Sequence, residues 1–249
     1  MSIQTIGLVS TGDMGHAVGR TLREGGFTVL TALDGRSERS RGLAAKAGIE
    51  DTGDLANLIG RADLLMSVMP PSVAVDFATR CAELMTSTGT TPLFADCNAI
   101  APATSRTIAG IIEATGADYL DAGIIGMPPG RMNPPRLYIS GDRPERLETL
   151  ARPDMIVRIL DGGIGAASAI KMCYAALNKG AMTLETLVLV GAAQLGRRTP
   201  PGAGGCPAPD AGPHGRPGTL ARGRREALVG RNAGDRQDLR RCRAHAPDP

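Results

Sequence analysis

The chain has 249 residues, 42% of them apolar, a formal charge of +3, and only six aromatic residues with no Trp. That length accommodates one or two domains around a core of ordinary size, built from Ala, Leu, Ile, Val and Met rather than from rings. No apolar run approaches the roughly 18 residues of a membrane span, the N-terminus lacks a basic segment leading into a long apolar one, and the five Cys show no C-x-x-C spacing, so neither a zinc site nor a disulfide framework is implied. A soluble protein of a reducing cytoplasm is expected, with no membrane partner.

From Gln4 to Val9 a short apolar run meets a Gly-containing turn, and Met14, Val18 and Leu22 then recur at helical spacing up to Glu24. The alternation continues with a strand at Phe27 to Leu33, a helix from Ser37 to Ala47, and a strand at Asp63 to Val68 that Pro70 and Pro71 stop. A helix from Val73 to Met85, a strand at Pro92 to Ala95, a helix from Pro102 to Thr115 and a strand at Asp118 to Ala122 follow. Helical segments of this length between strands imply right-handed crossovers in an α/β, doubly wound, mainly parallel sheet of Rossmann type. Arg136 to Ile139 and Ile156 to Leu160 complete the expected strands, which places a Rossmann domain at residues 1–163. Residues 164–195 are expected to open a helical C-terminal domain. From Ala166 to Leu195 there is no Pro and no turn cluster, so one helix of about 45 Å is predicted, apolar nearly all round and in need of covering partners.

Composition breaks at Gly196. From there to Pro249 the chain carries eleven Arg against five acidic residues, no Lys, and no Ile, Met, Phe, Tyr or Ser. Residues 196–249 therefore lack the apolar bulk to offset conformational entropy and are expected to be a disordered tail. The abruptness of the change favours a reading-frame artefact over a natural flexible tail. A basic tail also raises nucleic acid as a partner, but these Arg residues follow no helical stripe and have no aromatic neighbours for stacking, so no nucleic-acid partner is expected.

The first crossover turn reads Ser10, Thr11, Gly12, Asp13, Met14, Gly15, a G-x-G-x-x-G pattern with Ser in the first glycine position. Gly12 would let backbone approach a pyrophosphate, Gly15 would let helix and strand pack closely, and the helix N-terminus would offer free N–H groups. Asp13 and His16 are taken as cap and solvent contact. After the second strand Asp34 suits a ribose hydroxyl pair, whereas Arg36 with Ser37, and Arg39 nearby, suit a 2′-phosphate. The donors outnumber the acid, so NADP is the expected cofactor with NAD as the alternative.

The blocks GLVSTGDMG, SVMPP, DCNAIAP, DAGIIGMPPG and GGIGAASAIKMCYAALNKG, in this order over residues 3–195, resemble the β-hydroxyacid dehydrogenases, which include 3-hydroxyisobutyrate and 6-phosphogluconate dehydrogenases. Their poorly characterised 6-phosphogluconate dehydrogenase-like, NAD-binding branch is the most similar. The resemblance implies a Rossmann domain, an all-helical second domain opened by a long interdomain helix, and a site in the cleft between them. It makes Lys171, one of three lysines, the catalytic residue; among apolar neighbours its ammonium would lose proton affinity and exchange a proton with a substrate hydroxyl. It makes Asn98 and Ala99, in the Asp96–Pro102 segment, the substrate-carboxylate loop, where Ser-Thr is usual. Asp121–Met127 becomes a second substrate loop that retains Gly126. Ala175 replaces the expected amide residue, for which Asn178 at i+7 is a substitute. Val68, Met69 and Pro70, at the carboxyl edge of their strand, are implied to contact the nicotinamide ribose. The resulting expectation is an NAD(P)-dependent dehydrogenase of a small hydroxy acid, dimerising through the long helix, with a non-catalytic or inactive nucleotide-binding homologue as the alternative.

Overall fold

The computed structural model describes residues 2–131 and 133–195, so the expectations for 196–249 lie outside the described residues. Eight strands among the described residues form one sheet: β1 (Thr5–Val9), β2 (Thr28–Thr31), β3 (Glu50–Asp51), β4 (Leu64–Ser67), β5 (Leu93–Asp96), β6 (Tyr119–Ile125), β7 (Arg136–Gly141) and β8 (Ile156–Ile159). Their order is β3-β2-β1-β4-β5-β6-β7-β8. The first six run parallel; β7 reverses against β6, and β8 returns parallel to β7. The chain crosses from β3 on one side to β4 on the other beside β1, which creates a topological switch point where α/β sheets bind ligands at their carboxyl edge.

Crossovers are made by α1 (Asp13–Glu24), α2 (Glu38–Ala47), α3 (Leu55–Arg61), α4 (Ala74–Thr88) and α5 (Pro102–Glu113). The central strands are buried on both faces, as a helix-covered parallel sheet requires. Alternation along β4 and β5 sorts the core into two layers. Leu64, Met66, Leu93 and Ala95 join Val18, Leu22 and Ala44 on one side, while Leu65 and Phe94 join Leu58, Met85 and Ile108 on the other. Rings are scarce, yet Phe94 packs between Phe77 and Tyr119, with centroids 6.4 and 6.1 Å away.

The expected strands and α-helices are present, with one strand, one α-helix and the 3-10 helices Pro71–Val73 and Pro144–Leu150 in addition. β3 and α3 were not anticipated: β3 is two exposed acidic residues, and α3 is a seven-residue helix capped by Asp54, whose carboxylate accepts from Asn57 N–H at 2.7 Å. β6 is also longer than expected, so Asp121 to Ile125 lie in a strand rather than in a substrate loop. Backbone pairing to β7 continues through Ile125↔Arg136, and this ladder outweighs the Gly and Pro signals that follow.

The long helix α6 spans Ala166–Gln194. The chain divides into two compact units at Thr183/Leu184, so the first half of α6 belongs to the unit that contains the sheet. Tyr174 and Leu177 on that half are exposed, and so are Leu184, Leu187 and Val190 beyond it.

Candidate active site

The turn between β1 and α1 is built from two glycines with different tasks. Gly12 caps α1 in an extended conformation without a side-chain hydrogen bond, and a Cβ placed on it would meet nothing within 4 Å. Gly15 faces the opposite situation: its Cβ would sit 1.8 Å from the carbonyl oxygen of Ser10, which is backbone and cannot move aside. Gly15 therefore permits the turn, and Gly12 leaves its outer side open above uncapped helix N–H groups, the arrangement that receives a pyrophosphate. Asp13 does not cap the helix as expected; its carboxylate is exposed and pairs with Arg39 at 2.6 Å. His16 Nδ1 lies 2.8 Å from the Gly12 carbonyl, and Met14 packs against the core.

Beside this turn a cleft of about 590 Å³ opens at the sheet's carboxyl edge, lined by Ser10, Asp34, Arg36, Met69, Pro70 and, from the missed α3 entry and α4, Asp54, Asp76 and Arg80. Of the arginines after β2, Arg39 is held by Asp13, and Arg41 by the Leu33 carbonyl at 2.6 Å. Arg36 retains an uncommitted guanidinium among the described residues, as do the carboxylates of Asp34 and Asp76 and the guanidinium of Arg80. Ser37 is occupied: its hydroxyl caps α2, accepting from Ser40 N–H at 3.3 Å. Arg80 and Asp76 were not anticipated, because only the packing of α4 against the sheet brings them to the second strand's end.

The strand ends β4 and β5 are tied by Asn98. Its Oδ1 accepts from Met69 N–H at 2.6 Å, and its Nδ2 donates to Ser67 Oγ at 2.9 Å and Asp96 Oδ2 at 3.1 Å. The amide donor expected to orient substrate is thus already committed, and Asn98, only 2% exposed, is a brace between the two strand ends. Ala99 is half-buried beside it. Val68 accepts from Ser10 N–H at 3.2 Å, which joins the SVMPP segment to the glycine turn.

Lys171 lies in the second turn of α6, and its Nζ donates to the Cys97 carbonyl at 2.9 Å, placing the amine over the carboxyl end of β5. Burial lowers its proton affinity below the ordinary lysine value of 10.5, against the opposing influence of Cys97, Asp96 and Asp121. Asp96 behaves in the complementary way: burial pushes its carboxyl up to about 6, although two hydrogen bonds from Asn98 and the nearby Lys171 favour the charged form. Asp96 pairs in register with Ser67 on β4 and Asp121 on β6, and Asp121 with Ser140 on β7, so four polar groups cross the sheet in one row. Asp96 closes β5 and Asp121 interrupts β6, each an acid in an otherwise largely apolar strand, which is the signal that would have marked them.

Gly126 lies just beyond β6 with φ +124°, and a Cβ there would lie 3.1 Å from Pro135 Cα, so glycine is needed by both conformation and space. Asn178 is exposed and donates back to the Tyr174 carbonyl at 3.0 Å. The structure thus gathers Lys171 and Asn98 at the end of β5, and Ser10, Asp34, Arg36, Met69 and Pro70 at the cleft.

A doubly wound sheet with an open glycine turn at its switch point, and a half-buried lysine on the helix that follows, defines a dinucleotide-binding oxidoreductase domain. The model of the NAD binding domain of 6-phosphogluconate dehydrogenase matches residues 5–152, and the chain belongs to that family. An uncharacterized 28.5 kDa protein of Methanothermus fervidus is 23% identical over 77% of this chain and 72% of its own length. Among solved structures, a conserved protein of unknown function, described as similar to 3-hydroxyacid dehydrogenases, is 26% identical over 77% of this chain and 71% of its own, with a TM-score of 0.64. The 3-hydroxyisobutyrate dehydrogenase of Mycobacterium tuberculosis, solved with L-serine, covers 94% of this chain and 89% of its own at 20% identity and a TM-score of 0.62. A variant of the Myxococcus stipitatus imine reductase in complex with NAD+ covers 80% and 68% at 19% identity and a TM-score of 0.61. Among the described residues no helix is long and apolar enough to cross a membrane, and no cluster of His, Cys, Asp and Glu is arranged to hold a metal.

Proposed function

We propose that the protein is an NADP-preferring dehydrogenase of the 3-hydroxyacid type, in which Lys171 is the general acid–base group. The observation that carries this reading is the half-buried Lys171 amine, held 2.9 Å from the Cys97 carbonyl at the carboxyl edge of the sheet that also bears the glycine turn. The open face of Gly12 and the 590 Å³ cleft fit a nicotinamide dinucleotide, which supplies the hydride acceptor or donor when bound. Lys171 then takes the hydroxyl proton of the substrate as its carbon is oxidised, and returns it in the reverse direction. Its lowered proton affinity brings the neutral amine closer to working pH, which a base needs.

Arg36 supports NADP, since with Arg80 it is an uncommitted cation at the end of β2 among the described residues and can pair with a 2′-phosphate. The family pattern supports Ala99 and Gly126 as neighbours of the substrate, and Asn178 would join them only by leaving its bond to the Tyr174 carbonyl. Exposed Tyr174 and Leu177 on α6 support self-association through that helix, which sedimentation would register as a dimer. The experiment for the central reading is turnover of 3-hydroxyisobutyrate and related small hydroxy acids with NADP+ by the parent protein and by Lys171→Met. Turnover lost in the variant, with cofactor affinity retained, is the expected result. Cofactor binding without turnover of any hydroxy acid would leave the nucleotide-binding, non-catalytic homologue.

A further inference from the structure

The first turn of α6 has no capping residue of its own. It is preceded by Gly162, Gly163, Ile164 and Gly165, none of which carries a side-chain acceptor, and its leading N–H groups need partners because they lie against the sheet. Ala166 N–H donates to the Gly163 carbonyl at 3.2 Å, and the other partners come from strands far away in sequence. Asp121 Oδ2 accepts from Gly165 N–H at 3.0 Å and from Ser168 N–H at 2.9 Å. Oδ1 accepts from the Ser168 hydroxyl at 2.6 Å and the Ser105 hydroxyl at 2.9 Å. Ser140 donates its hydroxyl to Oδ2 at 3.1 Å and accepts from Ala167 N–H at 3.0 Å. Asp121 and Ser140 are both fully buried. A carboxylate in the middle of β6 thus takes the place of an N-cap, with its charge at the positive end of the helix.

Two residues further along β6, Gly123 fixes how closely the helix sits. A Cβ there would lie 3.1 Å from the Ala167 carbonyl and 3.4 Å from Lys171 Cβ, so the same strand face sets both the end of α6 and its distance from the sheet. Lys171 follows Ser168 by three residues, about one helical turn.

We propose that Asp121 is the positioning residue for Lys171: by capping α6 across the sheet it fixes the rotation and depth of the helix that hold the lysine amine over the Cys97 carbonyl. This deepens the acid–base role given to Lys171 and rests on it. Asp121 makes no hydrogen bond to the lysine; it acts through the helix. The charged and titratable groups that face Lys171 are Asp96 and Cys97 from the end of β5 and Asp121 from β6, and burial outweighs all three in setting its proton affinity. Freeing the helix start should therefore return Lys171 towards ordinary lysine behaviour, because hydration gained exceeds the attraction lost with the carboxylate whose influence is the smallest of the three.

The test is carried out on the full chain labelled with 13C at lysine Cε, whose three lysines give three titrating signals, with Lys171→Arg identifying the relevant one. In Asp121→Ala the Lys171 signal should titrate closer to 10.5, and the amides of Gly165, Ala167 and Ser168 should exchange about tenfold faster or more. Asp121→Asn keeps one acceptor and should show both changes in smaller degree. Ser168→Ala, which leaves both backbone N–H groups on the carboxylate, should leave the Lys171 titration where it is. If Asp121→Ala does not fold, the Asn and Ser168 variants decide by the same two readouts. An unchanged Lys171 titration in Asp121→Asn would overturn the proposal, and so would a downward shift, which belongs to a lost charge beside an unmoved lysine. Neither readout uses turnover, so failure of the acid–base reading, seen as an active Lys171→Met variant, is distinguishable from failure of this one.

Discussion

The two ends of the sheet's carboxyl edge differ in how their polar groups are satisfied. Around Lys171 nearly every one has a fixed internal partner: Asn98 makes bonds to three residues, and Asp121 accepts five hydrogen bonds. Around the cleft beside Gly12 the side chains of Asp34, Arg36, Asp76 and Arg80 are uncommitted among the described residues. Exposed polar groups without partners cost little in water and are ready to exchange hydration for a ligand. Buried groups must be paired in advance, because an unpaired one costs roughly 1–3 kcal/mol. On the proposed function, one end would recognise the cofactor and the other would hold the acid–base chemistry in a set geometry.

Substitution at the lysine end sharpens that contrast most. Lys171→Met should lower turnover by about 10²- to 10⁴-fold while cofactor affinity, measured by calorimetry, stays near that of the parent. An equal loss of both would show that the two ends are not separable. Next in size is Gly15→Val. Its side chain would meet the Ser10 carbonyl oxygen, whose backbone has nowhere to go. A loss of about 3 kcal/mol or more in urea unfolding is expected, together with loss of cofactor binding.

At the cleft, Arg36→Ala should weaken NADPH by about tenfold with little change for NADH, since a partly exposed charge-assisted pair is worth about 1–2 kcal/mol. If NADH is preferred by the parent protein, Asp34 selects the cofactor instead. The smallest effect is one of pH. Asp96 holds its proton up to about 6 in the folded protein and releases it near 3.8 when unfolded. Between those values the folded state binds more protons, so this residue's contribution makes stability fall as pH rises from 3.8 to 6. Urea unfolding of Asp96→Asn over that range should show a flatter, less negative slope than the parent.

The order of strands and helices was legible because apolar periodicity and glycine turns are local signals, and the parallel sheet follows from crossover length alone. β3 and α3 escaped for the same reason: two acidic residues and a seven-residue helix carry too little periodicity to register. At the site, Gly12 and Gly15 stand out from spacing, and Lys171 from the family resemblance. Asn98 was seen, but its task was not, since its partners Ser67 and Met69 are about thirty residues away. Asp121 is the clearest case of a residue whose meaning is entirely long-range: in sequence it is an acid inside an apolar strand, and only the return of α6 onto β6 and β7 turns it into a helix cap. Arg80 likewise joins Arg36 only through the packing of α4.

The central claim, that the open side of the glycine turn receives a nicotinamide dinucleotide, is tested most directly by calorimetric titration of NADPH into the full chain and into Gly12→Asp. The Cβ of residue 12 has no protein neighbour within 4 Å, so the substitution can be accommodated without disturbing the fold, and the new carboxylate would occupy the space and oppose the charge of a pyrophosphate. Saturable binding to the parent, and its loss in a Gly12→Asp protein that melts at the parent's temperature, is the predicted result. Equal affinity in the two proteins would place the cofactor elsewhere and contradict the account.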